Sequence, residues 1–316
     1  MTAAVATTPN ARREALRLRI RGAREFVRRF LRRRDGVIGA LILLIFGLVA
    51  LAPEAFVGPL QTATTAPGLP LDPPTAAHLM GTDELGRDMV NLTVHGARIS
   101  MTIGFLATMI TILFGAAIGI LAGYLGGTVD ALLMRLTDFF LVLPTFVLAI
   151  ILAPIILELI GPDAEILGIK ATLIVIVIVI GITSWATTAR IIRSQVLSVK
   201  ERMFVDRARV IGTGSGRIMR RHIFPNVVNL IVAQTVLTFA TAVFTETTLS
   251  FIGLGDPFQP SWGEILNSAQ ATGAPGLGAW WYILPPALCV VLVVLAFTLV
   301  GNALDDILNP KSAQRR

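Results

Sequence analysis

Residues 171–189 read ATLIVIVIVIGITSWATTA, and how this run folds decides the architecture. Ile and Val alternate from position 174 to 180, and β-branched residues favour strands in water. A buried parallel strand is therefore the first reading to weigh. Length excludes it: strands are usually about 4–8 residues, whereas this run holds 19 residues without a charge. In lipid an open sheet edge would leave amides unpaired, so an apolar segment of this length crosses as a helix.

The same test works outward along the 316 residues. Residues 36–53 give 18 positions without a charge, 99–129 give 31, 139–157 give 19, 222–245 give 24 and 265–304 give 40. The apolar part of the last run lies at 280–300. A helix needs about 20 apolar residues to cross roughly 30 Å of hydrocarbon. The expectation is an all-α integral membrane protein with six transmembrane helices. Composition agrees, with 54% of residues hydrophobic and 15% charged against about 25% charged in soluble domains. The single cysteine, Cys289, lies in an apolar stretch and reads as a small hydrophobe.

A formal net charge of +7 would suit a nucleic-acid binder if the basic residues shared one soluble face. Their distribution says otherwise. Eleven arginines lie up to Arg34, Arg135 stands alone, nine Lys/Arg fall between Arg190 and Arg221, and three follow Leu304, giving 24 of 27 in alternate segments. The intervening segments hold only Arg87, Arg98 and Lys170, with ten carboxylates. By the positive-inside rule both termini are cytoplasmic, and the basic excess orients the chain and meets anionic headgroups rather than nucleic acid. Arg28-Arg29 before an apolar run has the look of an export signal, but no small-residue cleavage site follows and five more spans do. It reads as an uncleaved first helix behind a basic amphipathic surface helix at 11–34.

The expected organisation is a cytoplasmic tail at 1–35, a six-helix domain at 36–310 and a tail at 311–316. Within the domain lie an outside loop at 53–97, a cytoplasmic loop at 194–226 and an outside loop at 251–279. The cytoplasmic loop is basic yet not low in complexity, so it is expected to be folded. It runs Val205-Asp206-Arg207-Ala208-Arg209-Val210-Ile211-Gly212-Thr213-Gly214-Ser215-Gly216 and ends His222-Ile223-Phe224-Pro225-Asn226. Physically this suits two short helices about a glycine hinge. Gly212 permits φ > 0 at the bend, Ala208 would let a partner's backbone approach closely, and Pro225 suits a helix first turn. A dinucleotide loop is excluded, because Gly212, Gly214 and Gly216 are spaced G-x-G-x-G and follow a charged lead-in.

The loop resembles the E-A-A-x-x-x-G-x9-I-x-L-P segment of ABC importer permease subunits. Asp206 stands at the Glu, Arg207 and Ala208 at the two Ala, Gly212 at the Gly and Pro225 at the Pro, while Phe224 replaces Leu. The ending with His222 is similar to the dipeptide/oligopeptide (nickel) branch. So are His78-Leu79-Met80-Gly81-Thr82-Asp83-Glu84-Leu85-Gly86-Arg87-Asp88 and His95-Gly96-Ala97-Arg98-Ile99-Ser100. Further matches, at Met134-Arg135 with Asp138 and Pro144 and from Glu246 to Gly255, extend the resemblance over residues 28–311.

The resemblance implies a type I importer permease fold and ATP-driven uptake of peptides by alternating access. It also implies a second homologous permease, two nucleotide-binding ATPase subunits and an extracytoplasmic substrate-binding protein as partners. ATP and Mg would be bound by the ATPase subunits, since no G-x-x-x-x-G-K-[ST] occurs in this chain and it has no cofactor or catalytic residue of its own. Asp206, Arg207, Ala208, Gly212, His222 and Pro225 are the candidate ATPase-coupling residues. Asp83, Arg87 and Asp88 are either a turn and ion pair that hold the outer loop or a contact for the binding protein.

Glu246, about 30 Å above Pro225, is either an interhelical hydrogen-bonding group or part of the pathway lining. Arg135 and Asp138 are expected to pair at i,i+3. Trp262, Trp280, Trp281 and Tyr282 read as an outer aromatic belt. His78, His95 and His222 show no metal-ligand spacing. An ion-driven secondary transporter is the alternative, but it would want paired intramembrane acids or inverted repeats.

Overall fold

A computed structural model describes residue 21 and residues 24–308 except 162–163 and 167–168. Part of the surface helix expected at 11–34 and the tail at 311–316 lie outside the described residues; residues 24–31 are helical. The helices are α1 (Arg34–Leu51), α2 (Glu54–Val57), α3 (Met89–Leu125), α4 (Gly127–Val142), α5 (Thr145–Ile160), α6 (Ala171–Lys200), α7 (Met203–Val210), α8 (Ser215–Ile218), α9 (Phe224–Leu249), α10 (Trp262–Ala271) and α11 (Trp280–Leu308). A two-residue antiparallel hairpin, β1 (Glu165–Ile166) with β2 (Ile169–Lys170), precedes α6.

Among the described residues, five single helices are long and apolar enough to span a bilayer, and α4 with α5 pass the same test together, which makes six if the bent pair is one span. That third crossing differs from expectation. A single helix over 139–157 is replaced by two, bent 92° to each other at Leu143-Pro144. Proline has no N–H for the helical ladder and disfavours helical backbone in the residue before it, and Leu143 is extended.

The helices also outrun the charge-free stretches. α3 starts at Met89 because the Asp88 carboxylate caps it, accepting from the N–H groups of Val90 (2.7 Å) and Asn91 (3.3 Å). It stops at Gly126-Gly127, both with positive φ. α6 continues past Ala189 to Lys200, its arginines paired sideways: Arg193 Nε with Asp130 Oδ1 at 2.6 Å, and Arg190 Nη2 with Asp138 Oδ1 at 2.5 Å. The i,i+3 pair expected of Arg135 and Asp138 is thus replaced by a link from α4 to α6.

Small residues bring the spans together. A Cβ on Gly119 would sit 2.6 Å from the Ala189 carbonyl oxygen, and one on Gly115 or Gly123 would come within 2.7–2.8 Å of Thr188 or Val196. This glycine row at every fourth position seats α3 against α6, the close backbone approach that membrane helix pairs use without a hydrophobic driving force. Gly104 does the same for α3 on α9, and Gly39 for α1 on α11.

The described chain begins and ends at one end of the bundle, where Arg33 Nη2 meets Asp306 Oδ2 at 2.7 Å. By the charge count above, this is the cytoplasmic end. At the opposite end, the aromatic belt is only partly what the sequence suggests. Trp280 is exposed, but Trp262 and Tyr282 are buried: the Trp262 indole donates to the Thr93 carbonyl (3.0 Å), and the Tyr282 hydroxyl donates to Glu84. Trp262 opens α10, a helix inside the expected loop at 251–279, so its ring is core rather than interface.

Candidate functional site

At the cytoplasmic end, α7, a turn and α8 form the hinged hairpin expected from the sequence. The turn at Gly212 is a Schellman closure of α7. The Gly212 N–H reaches the Arg209 carbonyl (2.9 Å), the Thr213 N–H reaches the Ala208 carbonyl (3.0 Å), and Gly212 has φ +78°. Only glycine adopts that conformation at no steric cost. A Cβ there would meet nothing within 4 Å, so the constraint is backbone geometry rather than crowding.

The hairpin's two faces differ. Val205 and Ala208 are buried with Ile218 and Ile223 against Tyr124, Ile192, Val196 and Val199 of the bundle. The Arg209 guanidinium lies 5.7 Å and Lys200 Nζ 6.0 Å from the centre of the Tyr124 ring, within range of cation–π attraction. Outward, Met203, Val210 and Ile211 are exposed, Val210 at 87% and Ile211 at 79%. With Asp206 and Arg207 they surround a hollow of about 480 Å³.

Pro225 stands one residue into α9, but the helix does not begin there. Residues 219–223 form a π turn closed by the Phe224 N–H on the Met219 carbonyl, so a continuous path runs from Ser215. The wider turn accommodates a proline that cannot bond residue i−4. His222 is half-buried, its ring 6.2 Å from Phe204, and its carbonyl accepts from Asn226 Nδ2 (2.7 Å).

At the outer end, Asp83 is fully buried. Its Oδ1 accepts from the N–H groups of Leu85 (3.0 Å) and Arg87 (2.7 Å), and its Oδ2 accepts from Arg87 Nε (2.6 Å). Asp88 caps α3 through Oδ1 and meets His78 Nδ1 through Oδ2 at 3.0 Å. All three charged residues are spent on holding the loop's own shape, with Gly81 and Gly86 at positive φ. The Trp281 indole closes the loop onto α11 by donating to the Thr82 carbonyl (3.1 Å).

Glu246 is 0% exposed near the top of α9. Its Oε1 accepts from Ser250 Oγ (3.0 Å), and Thr247 Oγ1 lies 3.4 Å from Oε2. α10 is pressed onto this region: a Cβ on Gly263 would fall 2.4 Å from the Thr247 carbonyl oxygen, and the Trp262 N–H donates to Ser100 Oγ (3.1 Å). In α10, the Glu264 carboxyl is pushed above the usual carboxylate range by burial, then by the charges of Asp256, Glu246 and Glu84. Arg98 closes the outer rim, its two terminal nitrogens on Glu54 at 2.6 and 2.7 Å, which holds the Glu54 carboxyl below its ordinary range.

A family model described as the binding-protein-dependent transport system inner membrane component matches residues 115–314, a stretch that includes the whole hairpin. The chain belongs to this family. It is 36% identical over 288 residues to the dipeptide transport system permease protein DppC of Bacillus subtilis (strain 168), covering 90% of this chain and 84% of that protein. It is 35% identical over 246 residues to the oligopeptide transport system permease protein OppC of Lactococcus lactis subsp. cremoris (strain SK11), covering 78% and 79%. A third relative, OppC of Mycobacterium tuberculosis (strain ATCC 25618 / H37Rv), is 34% identical over 295 residues, covering 92% and 95%.

Within this inner membrane component, the hairpin carries Asp206, Arg207 and Ala208 on α7 and Gly212 in the turn after it, with His222 in the π turn and Pro225 at the start of α9. One residue is turned the other way from expectation. Ala208, at 4% exposure, faces the bundle and not an outside partner, because Val205 and Ala208 are three apart and share the buried side of α7. Asp206 points outward and pairs with Arg209 at 3.0 Å. Met203, Val210, Ile211 and Tyr124 went unmarked in the sequence; the signal available was the apolar Met203, Val210 and Ile211 flanking the charged Asp206, Arg207 and Arg209.

Proposed function

We infer that this component is the permease subunit of an ATP-driven peptide importer of the dipeptide/oligopeptide type, forming half of a translocation pore with a second, homologous permease. The observation that carries the coupling reading is the two-sided hairpin. Its inner face is packed into the bundle through Val205 and Ala208, while its outer face presents Met203, Val210 and Ile211 to the cytoplasm. Exposed apolar side chains clustered at a surface mark a docking site. The partner fitting this face is an ATPase subunit, which would hold ATP and Mg; this chain lacks a P-loop and contributes mechanics rather than hydrolytic chemistry. Closure of two ATPases on ATP would press the hairpins and rock the helices as rigid bodies toward an outward opening, and hydrolysis would return them.

The outer loop is the surface on which a substrate-binding protein would dock. Asp83, Arg87 and Asp88 fix its shape, and the exposed Leu79, Met80 and Leu85 supply contact area. The names of the relatives support peptides as the cargo class.

The test is uptake of labelled dipeptide by proteoliposomes holding this chain with its permease, ATPase and binding-protein partners. Gly212→Val forces a β-branched residue to φ +78°, costing about 1–2 kcal/mol at the turn. Uptake per ATP hydrolysed is expected to fall by about tenfold while hydrolysis continues. Unchanged uptake in that variant would refute the coupling role. Wild-type uptake that survives ATP depletion but collapses with the proton gradient would refute the ATP-driven reading.

A further inference from the structure

Among the described residues, the buried carboxylates are Asp83, Glu246, Asp256 and Glu264, and of these Glu246 alone lies in a membrane span. Asp83 is held by Arg87, while Asp256 accepts from the Phe258 N–H (2.9 Å) and has Lys170 Nζ at 3.4 Å. Hydroxyls surround Glu246 instead. Ser250 and Thr247 follow it in the chain, Ser100 comes from α3, and Ser261 is the N-cap of α10. Ser100 Oγ accepts from the Trp262 N–H (3.1 Å) and Ser261 Oγ from the Glu264 N–H (3.2 Å), so the proton of each hydroxyl is left to donate. A carboxyl at membrane depth is costly unless such donors reach it. Three elements therefore converge on one side chain.

What those elements carry gives the convergence its use. The helical path through α9 is continuous from Ser215, at the hairpin, to Leu254, and Glu246 sits about 46 Å along it. Beyond Glu246 the chain reverses through a π turn at Ser250–Leu254, with Gly253 at φ +89°, and returns as α10. The first turn of α10 lies backbone-close on α9 at Gly263, and Asn267 Nδ2 donates to the Phe251 carbonyl (2.7 Å). Ile265 and Ala269 of α10 pack with Met89, Leu92 and Tyr282 at the base of the outer loop. Glu246 thus stands where the helix that leaves the cytoplasmic hairpin meets the helix that supports the outer loop.

We propose that Glu246 is a positioning residue: by gathering the hydroxyls of Ser100, Ser250 and Ser261 it makes α3, α9 and α10 move as one body at the outer end, so that a displacement of the hairpin reaches the outer loop. This role rests on the importer reading above. It is geometric rather than acid–base. Glutamine preserves it: the amide oxygen can accept from Ser250, and the amide nitrogen can donate to Thr247 Oγ1, whose own proton goes to the Val243 carbonyl (2.9 Å). Aspartate keeps the charge but draws it back by one methylene, away from Ser100 and Ser261.

The test has two readouts. On the purified full chain in nanodiscs, hydrogen–deuterium exchange of the α10 amides is compared with that of α6. In proteoliposomes holding the complete importer, ATP hydrolysis is measured with and without dipeptide-loaded binding protein. E246L and E246D are expected to speed α10 exchange by about tenfold, with α6 unchanged, and to lose most of the stimulation by binding protein while basal hydrolysis continues. E246Q is expected to stay within about twofold of wild type in both readouts. E246D retains a carboxylate and carries the test if E246L does not insert.

The reverse order, with E246D like wild type and E246Q impaired, would make Glu246 a proton-transfer group and overturn the proposal. So would α10 exchange at the wild-type rate in E246D, or equally faster exchange in α6 and α10, which is a general loss of stability. Loosened α10 with normal stimulation would overturn the link to the outer loop. A wild-type importer that ATP and binding protein do not drive would refute the importer reading itself, and the exchange order among the variants would still decide whether Glu246 holds α10.

Discussion

The seam between α3 and α6 offers the sharpest test of the packing argument. Replacing Gly119 by Ala places a methyl 2.6 Å from the Ala189 carbonyl oxygen and 3.0 Å from Ile192 Cβ. The nearest obstacle is backbone, which cannot rotate aside. Overpacking of this kind costs about 1–3 kcal/mol, while alanine recovers about 1 kcal/mol of helix propensity over glycine. The balance is a net loss of up to about 2 kcal/mol, rising to about 3 kcal/mol for Gly119→Val, whose second and third methyls have no room. Gly47 is the internal control, since a Cβ there meets nothing within 4 Å. Gly47→Ala and Gly47→Val are expected to be neutral or slightly stabilising. The measurement is tryptophan-monitored unfolding in mixed dodecyl-maltoside and SDS micelles for all four variants. If Gly119→Val unfolds at the same SDS fraction as Gly47→Val, the glycine row does not set the spacing of these helices and the packing account is wrong.

Other expectations rest on single side chains. Tyr124→Ala empties the inner core beneath Val205 and Ala208 and is expected to cost about 3–5 kcal/mol; Tyr124→Phe keeps the ring and should recover most of it in the same unfolding assay. Asp83→Ala takes the close carboxylate from the partly buried Arg87 and leaves it Glu84 at 4.0 Å, at a cost of about 1–3 kcal/mol, read as faster proteolytic nicking of the outer loop. Glu264 titrates above its ordinary range when folded, so the folded state holds its proton more tightly than the unfolded one. Its contribution to stability is therefore present at acid pH and declines as pH rises from the ordinary carboxylate value through the raised one. Glu264→Gln should flatten that slope and stabilise the protein at pH 7, and an unchanged pH profile would count against the assigned burial.

The number of crossings and their orientation were legible because lipid imposes one rule on every segment: about 20 residues without charge. Where helices end was not, since charge does not stop a helix that can pair it. Arg190 and Arg193 lie within α6 because Asp138 and Asp130 on α4 meet them. The hinge at Gly212 was legible from its local chemistry. The direction of Ala208 was not, because it depends on Tyr124, more than 80 residues away. Trp262 looked interfacial by composition, and only the approach of α10 to Thr93 and Ser100 buries it. Pro144 stood in plain view within an apolar run, yet the uncharged stretch on either side masked the break it makes.

That break has a geometric consequence. The two arms, 16 residues each, are about 24 Å long, and at 92° their far ends stand about 34 Å apart, enough to traverse the hydrocarbon. The corner at Leu143-Pro144 juts about 17 Å sideways from the line joining those ends. The third crossing is thus a bracket rather than a post. Its footprint in the plane of the bilayer is far wider than one rod's.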